Sequence, residues 1–478
     1  MLPVEDASTF PPMTTKPLRA ALIGAALLLP TLAHAGDDAG AVKVSMPVGQ
    51  NDPKVEFEKY TLPNGLEVLL IPDKTVPLVA VNVWYHVGSG YEVYGRSGFA
   101  HLFEHMMFQG SKHVGDDKHF DILKKIGVDN VNGTTNSDRT NYYEVIPSNQ
   151  LEVGLWLESD RMGFLLDSLT KKSLDNQIAV VRIERRQSYD NRPYGKALFA
   201  TAAALYPEGH PYRYMTIGKH EDLVAASVED VKNFFRTWYV PANATLCVAG
   251  DFDVPDAKAA VDKWFGKFPK SQKPKPIPVP APTIKSSETV VSDDFAKLRQ
   301  IKFTWHSPAN FAEGDAELDI AANALSREGP GHLYKALVYD RPLAQSVSAD
   351  QGGAQFSGQF EITVTLRSDA SLDDVKKVVW DEVGKLAKDP LTEKEIQRVI
   401  AANEAGAIRR LETAFGRSQT LQGYNHFLGD PDRITWDLDR YRKTSAEKIR
   451  ATVAKYLSPD HVVVVITNPS NAGAGAKK

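Results

Sequence analysis

The chain has 478 residues, of which 42% are hydrophobic and 24% are charged. At about 150 residues per domain this length allows two to four domains, and the composition excludes collagen-like, low-complexity and wholly disordered proteins. The 56 basic and 60 acidic residues give a net charge of -4, so the overall charge does not favour nucleic-acid binding. The single cysteine, Cys247, excludes an intrachain disulfide and a thiolate metal cluster, and its apolar neighbours predict a buried strand residue.

The N-terminal residues have the features of a secretory signal peptide. Lys16 and Arg19 precede an apolar stretch at 20–32, which an Ala-His-Ala cleavage site follows. The stretch is too short for a comfortable membrane span. We therefore predict a signal peptide at 1–35, export to the periplasm and a mature chain without a membrane span, with an uncleaved anchor as the alternative. Acidic residues near the N-terminus fit this pattern badly, which suggests that Met13 is the true start.

A segment dense in proline and lysine, residues 267–286, divides the rest of the chain into two similar halves. Trp238-Tyr239-Val240-Pro241 corresponds to Tyr456-Leu457-Ser458-Pro459 at a shift of about 218 residues. We predict an internal duplication with a flexible tail at 36–55, a catalytic domain at 56–266, a linker at 267–286, a non-catalytic homologous domain at 287–470 and a disordered tail at 471–478.

Strands and helices are predicted to alternate within the first half. Residues 66–71 and 78–87 are predicted strands, because apolar side chains alternate with other side chains in the second of them. A helix is predicted at 98–108, a strand at 140–146, and helices at 150–165 and 172–188. This order indicates an α+β fold, in which each half packs helices against a mostly antiparallel sheet.

The predicted helix at 98–108 carries the motif His-Leu-Phe-Glu-His. At about 100° per residue, His101, Glu104 and His105 all fall within about 100° of arc, on one face of the helix. Two imidazoles one turn apart can bind the same metal ion, and a carboxylate beside them can act as the general base of a hydrolytic reaction.

An alternative is that both histidines are ordinary core residues and that the glutamate lies on the surface. Apolar residues surround the motif, so the helix is predicted to be buried. Burying three ionisable groups together costs several kcal/mol unless something compensates. A metal ion provides that compensation, so we favour a metal site.

A hydrolytic metal site needs a third protein ligand, and Glu184 is the best candidate. Val181 and Gln177, three and seven positions before it, place Glu184 on the inward side of its predicted helix. A surface carboxylate paired with Arg185 or Arg186 is equally consistent with the sequence.

The motif HLFEH, followed by Glu184 79 residues later, resembles the pitrilysin/insulinase family of zinc metallopeptidases, whose His-x-x-Glu-His order is the inverzincin signature. Asn132-Gly133-Thr134-Thr135 and Glu184-Arg185-Arg186-Gln187 are also similar to segments of that family. The resemblance covers essentially the whole mature chain and includes the two-half plan of the mitochondrial-processing-peptidase-like branch.

This resemblance implies one Zn²⁺ per chain, held by His101, His105 and Glu184, with Glu104 as the general base that activates water. Two histidines and one glutamate by themselves also permit other divalent metals. The family often has an acidic residue seven positions before the third ligand, where this chain has Gln177. Glutamine can hydrogen-bond a histidine but adds no charge.

The resemblance also implies how a substrate binds. In such enzymes the peptide adds as a strand beside the position of Asn132-Gly133-Thr134, and an Arg and a Tyr from a C-terminal half hold its backbone. Arg341 is the candidate for that Arg, but Gln345 stands where the Tyr is expected and lacks the phenol. We therefore expect a homologous partner subunit that supplies the pair in a heterodimer, or a homodimer, although Tyr334 or Tyr339 could substitute.

The second half lacks the motif. When Gly314 is overlaid on Gly95, Ile320, Asn323 and Ala324 stand opposite the three motif residues. The second domain is therefore predicted to be a non-catalytic copy, which in the family covers the active half.

The leading hypothesis is a zinc-dependent endopeptidase that acts on unfolded peptides. The alternatives are a non-enzymatic exported scaffold or binding subunit, and a metal hydrolase acting on small esters or amides. His113 and His119 lie in or beside a charged stretch and are predicted to belong to a solvated loop outside the site.

Overall fold

The structure is a computed structural model that describes residues 52–470, except Tyr94 and residues 278, 280, 281 and 283. The predicted signal peptide at 1–35, residues 36–51 of the predicted N-terminal tail and the tail at 471–478 lie outside the described residues. The remaining residues of the N-terminal tail are described, and Asp52 pairs with Arg442 at 2.7 Å. No helix in the described ranges combines the length and the apolar character needed to cross a membrane.

Eleven strands form two sheets in the described part of the chain. They are β1 Glu58–Thr61, β2 Glu67–Pro72, β3 Leu78–Tyr85, β4 Val131–Thr135, β5 Thr140–Pro147, β6 Ala244–Gly250, β7 Ser287–Asp293, β8 Gln300–Ser307, β9 Ala344–Gly352, β10 Gly358–Leu366 and β11 Val463–Pro469.

The two sheets have the same topology. The order across the first sheet is β1-β2-β6-β3-β5-β4, and across the second it is β7-β11-β8-β10-β9. Neighbouring strands are antiparallel except for one parallel pair in each sheet, β2 with β6 and β7 with β11. Apart from β1, each strand of the first sheet has a counterpart at the same place in the second, as expected for two copies of one α+β unit.

Fifteen α-helices lie in the described ranges. They are α1 Phe99–Met106, α2 Lys118–Lys125, α3 Leu151–Ser168, α4 Lys171–Arg185, α5 Gly195–Leu205, α6 His220–Val224, α7 Val228–Trp238, α8 Val254–Phe265, α9 Asp315–Ser326, α10 His332–Tyr334, α11 Leu372–Leu386, α12 Glu393–Arg410, α13 Ala414–Leu428, α14 Ile434–Arg442 and α15 Ala446–Tyr456.

The boundaries of these elements agree closely with the sequence pattern. Each strand and helix predicted in the first half lies within three residues of an observed one. Helix α4 ends before its predicted end because residues 186–190 continue it as a π-helical turn. The last helix of the first half ends at Phe265 and the first strand of the second half begins at Ser287, on either side of the segment predicted as a linker.

The predicted alignment of the motif helix with the second half, at a shift of 219 residues, is wrong by three residues. Helices α1 and α9 both begin after a glycine in the left-handed conformation, Gly98 with φ 87° and Gly314 with φ 97°, which are 216 residues apart. Ile320, rather than Asn323, therefore corresponds to Glu104. The shift differs between elements because the connecting loops of the two halves differ in length, and the second half has an aliphatic side chain where the first has a carboxylate.

One helix of each half packs against the sheet of the other half. Helix α13, from the second half, packs against β3 and β6, where Leu421 joins Leu69 and the buried Cys247 in an apolar cluster. Helix α5, from the first half, packs against β7 and β11, where Leu205 joins Val463. Successive side chains of a strand point to opposite faces. One face of each sheet therefore packs on the core of its own half, and the other face packs on the helix from the other half.

The core of the first half also contains a buried charge cluster. His119, predicted in a solvated loop, is instead 3% exposed in α2, and one ligand-type atom from each of His119, Glu144 and Glu158 lies within 4.8 Å of the others. The guanidinium of Arg161 supplies the cation, because its Nε donates to Glu158 at 2.9 Å and its Nη2 lies 3.8 Å from Glu144. A prediction from sequence spacing missed this cluster since its members come from three separate elements.

We expect Leu421→Ala to lower the melting temperature. Leu421 is 1% exposed, and truncating a buried leucine costs about 2–5 kcal/mol because a cavity remains. Ile408→Ala is the matched control, since Ile408 is 51% exposed on α12 and its loss should change little. Circular-dichroism melting curves measure both effects, and identical curves for Leu421→Ala and the wild type would contradict the role assigned to α13.

We also expect Glu144→Gln to weaken the pH dependence of stability. Burial raises the pKa of Glu144 to about 8, against the opposing charge of Arg161. Between its ordinary value of 4.5 and about 8, the unfolded chain has released this proton while the folded protein keeps it, so this group makes the free energy of unfolding fall as pH rises.

Calorimetric melting temperatures at pH 5 and pH 8 test this expectation. The fall from the lower to the higher pH should be smaller in Glu144→Gln than in the wild type, and unchanged in Glu152→Gln, which alters an exposed carboxylate paired with Lys263. An equal fall in all three proteins would show that Glu144 ionises normally.

Candidate metal centre

Contacts at its N-terminus fix the orientation of helix α1. A Cβ at Gly98 would lie 2.9 Å from the carbonyl oxygen of Ile217, and φ is positive there, so the position requires glycine. The carboxylate of Glu92 accepts hydrogen bonds from the N–H groups of Gly98 and Ala100 at 2.9 and 2.8 Å. These bonds satisfy donors that the first turn of a helix leaves open.

The polar face of α1 meets the last turn of α4. Nε2 of His101 lies 3.6 Å from Oε1 of Glu184, and Nε2 of His105 lies 3.2 Å from Oε2 of the same carboxylate. The described residues show no ion pair of Glu184 with Arg185 or Arg186, and Arg185 instead lies 3.5 Å from Asp190. The structure thus brings together the three candidate ligands, with one atom of each within 4.8 Å of the others.

The electrostatics of these side chains suit a divalent cation. Burial lowers the pKa of His101 to about 4, although the charge of Glu184 opposes this shift. The hydrogen bond from His105 holds the pKa of Glu184 below its usual value. At neutral pH, His101 is therefore a neutral imidazole and Glu184 an anion, which are the forms that bind Zn²⁺.

The partners that usually orient a metal-ligating imidazole through its other ring nitrogen are not found among the described residues. Nε2 of His101 faces Glu184, and its buried Nδ1 has no hydrogen-bond partner there. Gln177 is 6% exposed in α4, but the described residues include no hydrogen bond from it to either histidine. The hydrogen bond from Gln177 to a histidine ligand, which its position in the sequence suggested, is therefore not found among the described residues.

Glu104 lies beside these three residues and has a different partner. Its Oε2 accepts a hydrogen bond from the hydroxyl of Thr135 at 2.6 Å, a contact that the sequence analysis missed. Burial raises the pKa of Glu104, while the bond from Thr135 opposes that rise. A Cβ at Gly133 would lie 2.9 Å from Cγ of Glu104, so a glycine at this point of β4 lets the carboxylate pack against the strand.

A pocket of about 300 Å³ opens at this place. It is lined by His101, Glu104 and Glu184, by residues 133–135 of β4, and by Tyr189, Thr216 and Ile217. Strand β4 is the edge of the first sheet and pairs only with β5, and Asn132 is exposed at its start. An edge strand beside a pocket can pair with an extended peptide.

The candidate residues of the second half are not among those that line this pocket. Arg341 is exposed after α10 and its π-helical extension, and Gln345 is exposed on the edge strand β9. Tyr334 and Tyr339 pack edge to face at 5.5 Å, and Tyr339 is 62% exposed. The described residues that line the pocket come from the first half, so the predicted Arg/Tyr pair stays a prediction.

Two family models match the chain. The model described as Insulinase (Peptidase family M16) matches residues 67–214, and the model described as Peptidase M16 inactive domain matches residues 225–403. The first match includes the motif helix and Glu184. The second begins before the linker, although the structure places β6 in the first sheet, and it covers much of the half without the motif.

Individual proteins are similar over most of the chain. The zinc protease PqqE of Helicobacter pylori is 28% identical over 363 residues, which are 75% of this chain and 81% of that protein. The crystal structure of a protease from Helicobacter pylori has a TM-score of 0.80 at 25% identity and covers 87% of this chain and 100% of that one.

A third protein is similar in fold and differs in length. The periplasmic protease PqqL of Escherichia coli has a TM-score of 0.73 at 17% identity, and the match covers 89% of this chain but 49% of that chain. The whole two-sheet unit described above therefore corresponds to about half of the PqqL chain.

Proposed function

We propose that this chain, which belongs to the insulinase family of peptidases (peptidase family M16), is a zinc-dependent endopeptidase that hydrolyses unfolded peptides. The observation that supports this most strongly is the convergence of His101, His105 and Glu184 beside the buried carboxylate of Glu104. Partly burying two imidazoles and two carboxylates together is unfavourable unless something compensates, and a bound cation provides that compensation.

The four residues have separate roles in the proposed reaction. His101, His105 and Glu184 would hold one Zn²⁺. When bound, the ion polarises the carbonyl group of the scissile peptide and lowers the pKa of the attacking water. Glu104 takes the proton from that water and passes it to the leaving nitrogen, while the hydroxyl of Thr135 holds one of its two carboxylate oxygens.

The substrate is proposed to bind in an extended form along β4. Residues 132–134 offer backbone groups at the edge of the first sheet, and Gly133 lies against the base. Hydrogen bonds to a backbone do not depend on side-chain identity, so this mode tolerates many sequences but requires an unfolded segment.

A homologous partner subunit is proposed to complete the enzyme. The absence of Arg341 from the lining of the pocket, and the Gln at position 345, support a partner that supplies the Arg/Tyr pair in a heterodimer, with a homodimer as the alternative. The length of PqqL, which holds about two units of this size in one chain, supports an assembly of two such units. We propose that the assembly works in the periplasm, as the signal-peptide pattern at 1–35 indicates.

Glu104→Gln is expected to retain zinc and lose turnover. The amide keeps the shape of the side chain but cannot accept the proton, and general-base catalysis contributes about 100- to 10,000-fold in rate. Glu184→Gln should instead lose zinc, because it replaces an anionic ligand by a neutral one. Elemental analysis together with cleavage of a quenched fluorescent peptide measures both properties.

Glu152→Gln serves as the control for these variants, since it removes an exposed carboxylate far from the motif in sequence. Retained activity in Glu104→Gln would overturn the assignment of the base. Wild-type protein without stoichiometric zinc would instead favour the non-enzymatic scaffold. Cleavage of small amides but not of peptides would favour a metal hydrolase that acts on small esters or amides.

The chain alone is expected to cleave peptides slowly, and addition of a homologue that carries the Arg/Tyr pair should raise kcat/KM. The reason is that this chain provides the base and the candidate ligands but no arginine in the pocket. A peptide-cleavage assay with and without the homologue and a chelator measures the effect. Full activity of the purified chain alone would refute the need for a partner.

A further inference from the structure

Tyr189 is a pocket residue that takes no part in the proposed roles of Glu104 and the metal ligands. Tyr189 lines the pocket together with His101, Glu104 and Glu184. Its side chain is half-buried, and its hydroxyl has no hydrogen-bond partner among the described residues. A phenol carries its proton at neutral pH, so Tyr189 brings an unpartnered O–H donor to the lining of this pocket.

The π-helical turn at the end of α4 places this side chain. Residues 186–190 form that turn directly after Glu184 and Arg185. In a regular α-helix the fifth residue after Glu184 would lie about 140° away around the axis, whereas an i→i+5 turn brings it close to the same face. Such single π-helical turns are rare and are frequent at functional sites.

Neighbouring contacts hold Tyr189 in this position. Its ring packs against Phe199 of α5 at 5.6 Å, and the guanidinium of Arg185 lies 4.8 Å from the same Phe199 ring. A Cβ at Gly195 would collide with the carbonyl oxygen of Tyr189, so the start of α5 fits closely against the turn. The phenol is therefore positioned before a substrate binds.

The other hydroxyl groups of the pocket are already engaged. Thr135 donates to Glu104, Thr134 donates to Asn141 at 2.5 Å, and the hydroxyl of Thr216 lies 3.4 Å from that of Ser89. Hydrolysis of a peptide builds negative charge on the carbonyl oxygen, and a preorganised donor at that oxygen lowers the barrier. Among the described hydroxyl groups that line this pocket, that of Tyr189 is the one without a hydrogen-bond partner.

We propose that the hydroxyl of Tyr189 donates a hydrogen bond to the carbonyl oxygen of the scissile peptide as negative charge develops there. This inference rests on the proposed peptidase function. A water oxygen forms a bond to the carbonyl carbon, and the π electrons of the carbonyl move to its oxygen. Glu104 takes the proton of the water, and the carbonyl re-forms as the C–N bond breaks and the nitrogen receives that proton. Tyr189 keeps its own proton throughout.

The two subunits have different roles in this proposal. The donor to the developing charge comes from the same chain as Glu104, and the partner holds the backbone of the peptide on either side. Tyr189 therefore affects the chemical step, whereas the partner affects mainly how strongly the peptide binds. These two effects appear in different kinetic constants.

Tyr189→Phe tests this role, because it removes the hydroxyl and keeps the ring that packs on Phe199. In the chain assayed with its partner, kcat should fall by about 100-fold, while KM stays within about twofold. Zinc content and melting temperature should not change. Tyr194→Phe is the matched control, since its hydroxyl donates outside the pocket, to the carbonyl oxygen of Leu298, and kcat should be retained.

A second measurement does not depend on turnover. A phosphinic peptide, with a tetrahedral phosphorus and an anionic oxygen in place of the scissile group, should bind Tyr189→Phe about 100-fold more weakly than it binds the wild type in calorimetric titration. The corresponding substrate peptide should bind Glu104→Gln and the Glu104→Gln/Tyr189→Phe double variant with equal affinity, because the hydrogen bond strengthens only as charge develops.

The outcomes separate the two proposals. If the wild type with partner shows no zinc-dependent cleavage, the proposed function fails, and the phosphinic peptide still reports whether Tyr189 contacts the anionic oxygen. If the wild type cleaves and Tyr189→Phe keeps its kcat, the role of Tyr189 is refuted while the proposed function stands. A rise in KM with unchanged kcat would also refute it, because the hydroxyl would then only bind the ground state.

Discussion

In the described residues, each sheet has one apolar face that packs against a helix from the other half. Helix α13 lies against the first sheet and α5 against the second. Leaving either apolar face in water would cost the free energy of exposing several buried side chains. The half that carries the candidate metal centre therefore depends for its packing on the half that lacks the motif, which gives a physical reason for a copy without ligands to persist.

The same exchange of helices reaches the pocket through the backbone. Helix α5 begins at Gly195, five residues after the last residue of the π-helical turn at 186–190, and packs against the second sheet. The turn is held between Glu184, which faces the histidines, and Gly195, which fits against the carbonyl of Tyr189. An irregular turn at this point is stable because packing constrains both of its ends. The position of the phenol is thus a consequence of how the two halves dock.

Inside the pocket, burial and hydrogen bonding act on each ionisable group differently. Desolvation favours the neutral form of His101, while the bond from His105 favours the charged form of Glu184. Burial raises the pKa of Glu104, and the hydrogen bond from the hydroxyl of Thr135 lowers it. The pocket can accordingly hold two carboxylates with different tasks, because each has its own hydrogen-bond partner.

The sequence by itself determined which residues share a face of α1, where three strands and three helices of the first half lie, and that the chain is an α+β duplication. These properties depend on neighbours along the chain, through the 3.6-residue and two-residue periodicities. Only the tertiary structure decided that Glu184 meets the histidines rather than an arginine, that His119 is buried beside Arg161, and that Tyr189 enters the pocket. Those contacts join residues from separate elements, and packing between helices and sheets, rather than any local periodicity, sets which of their faces meet.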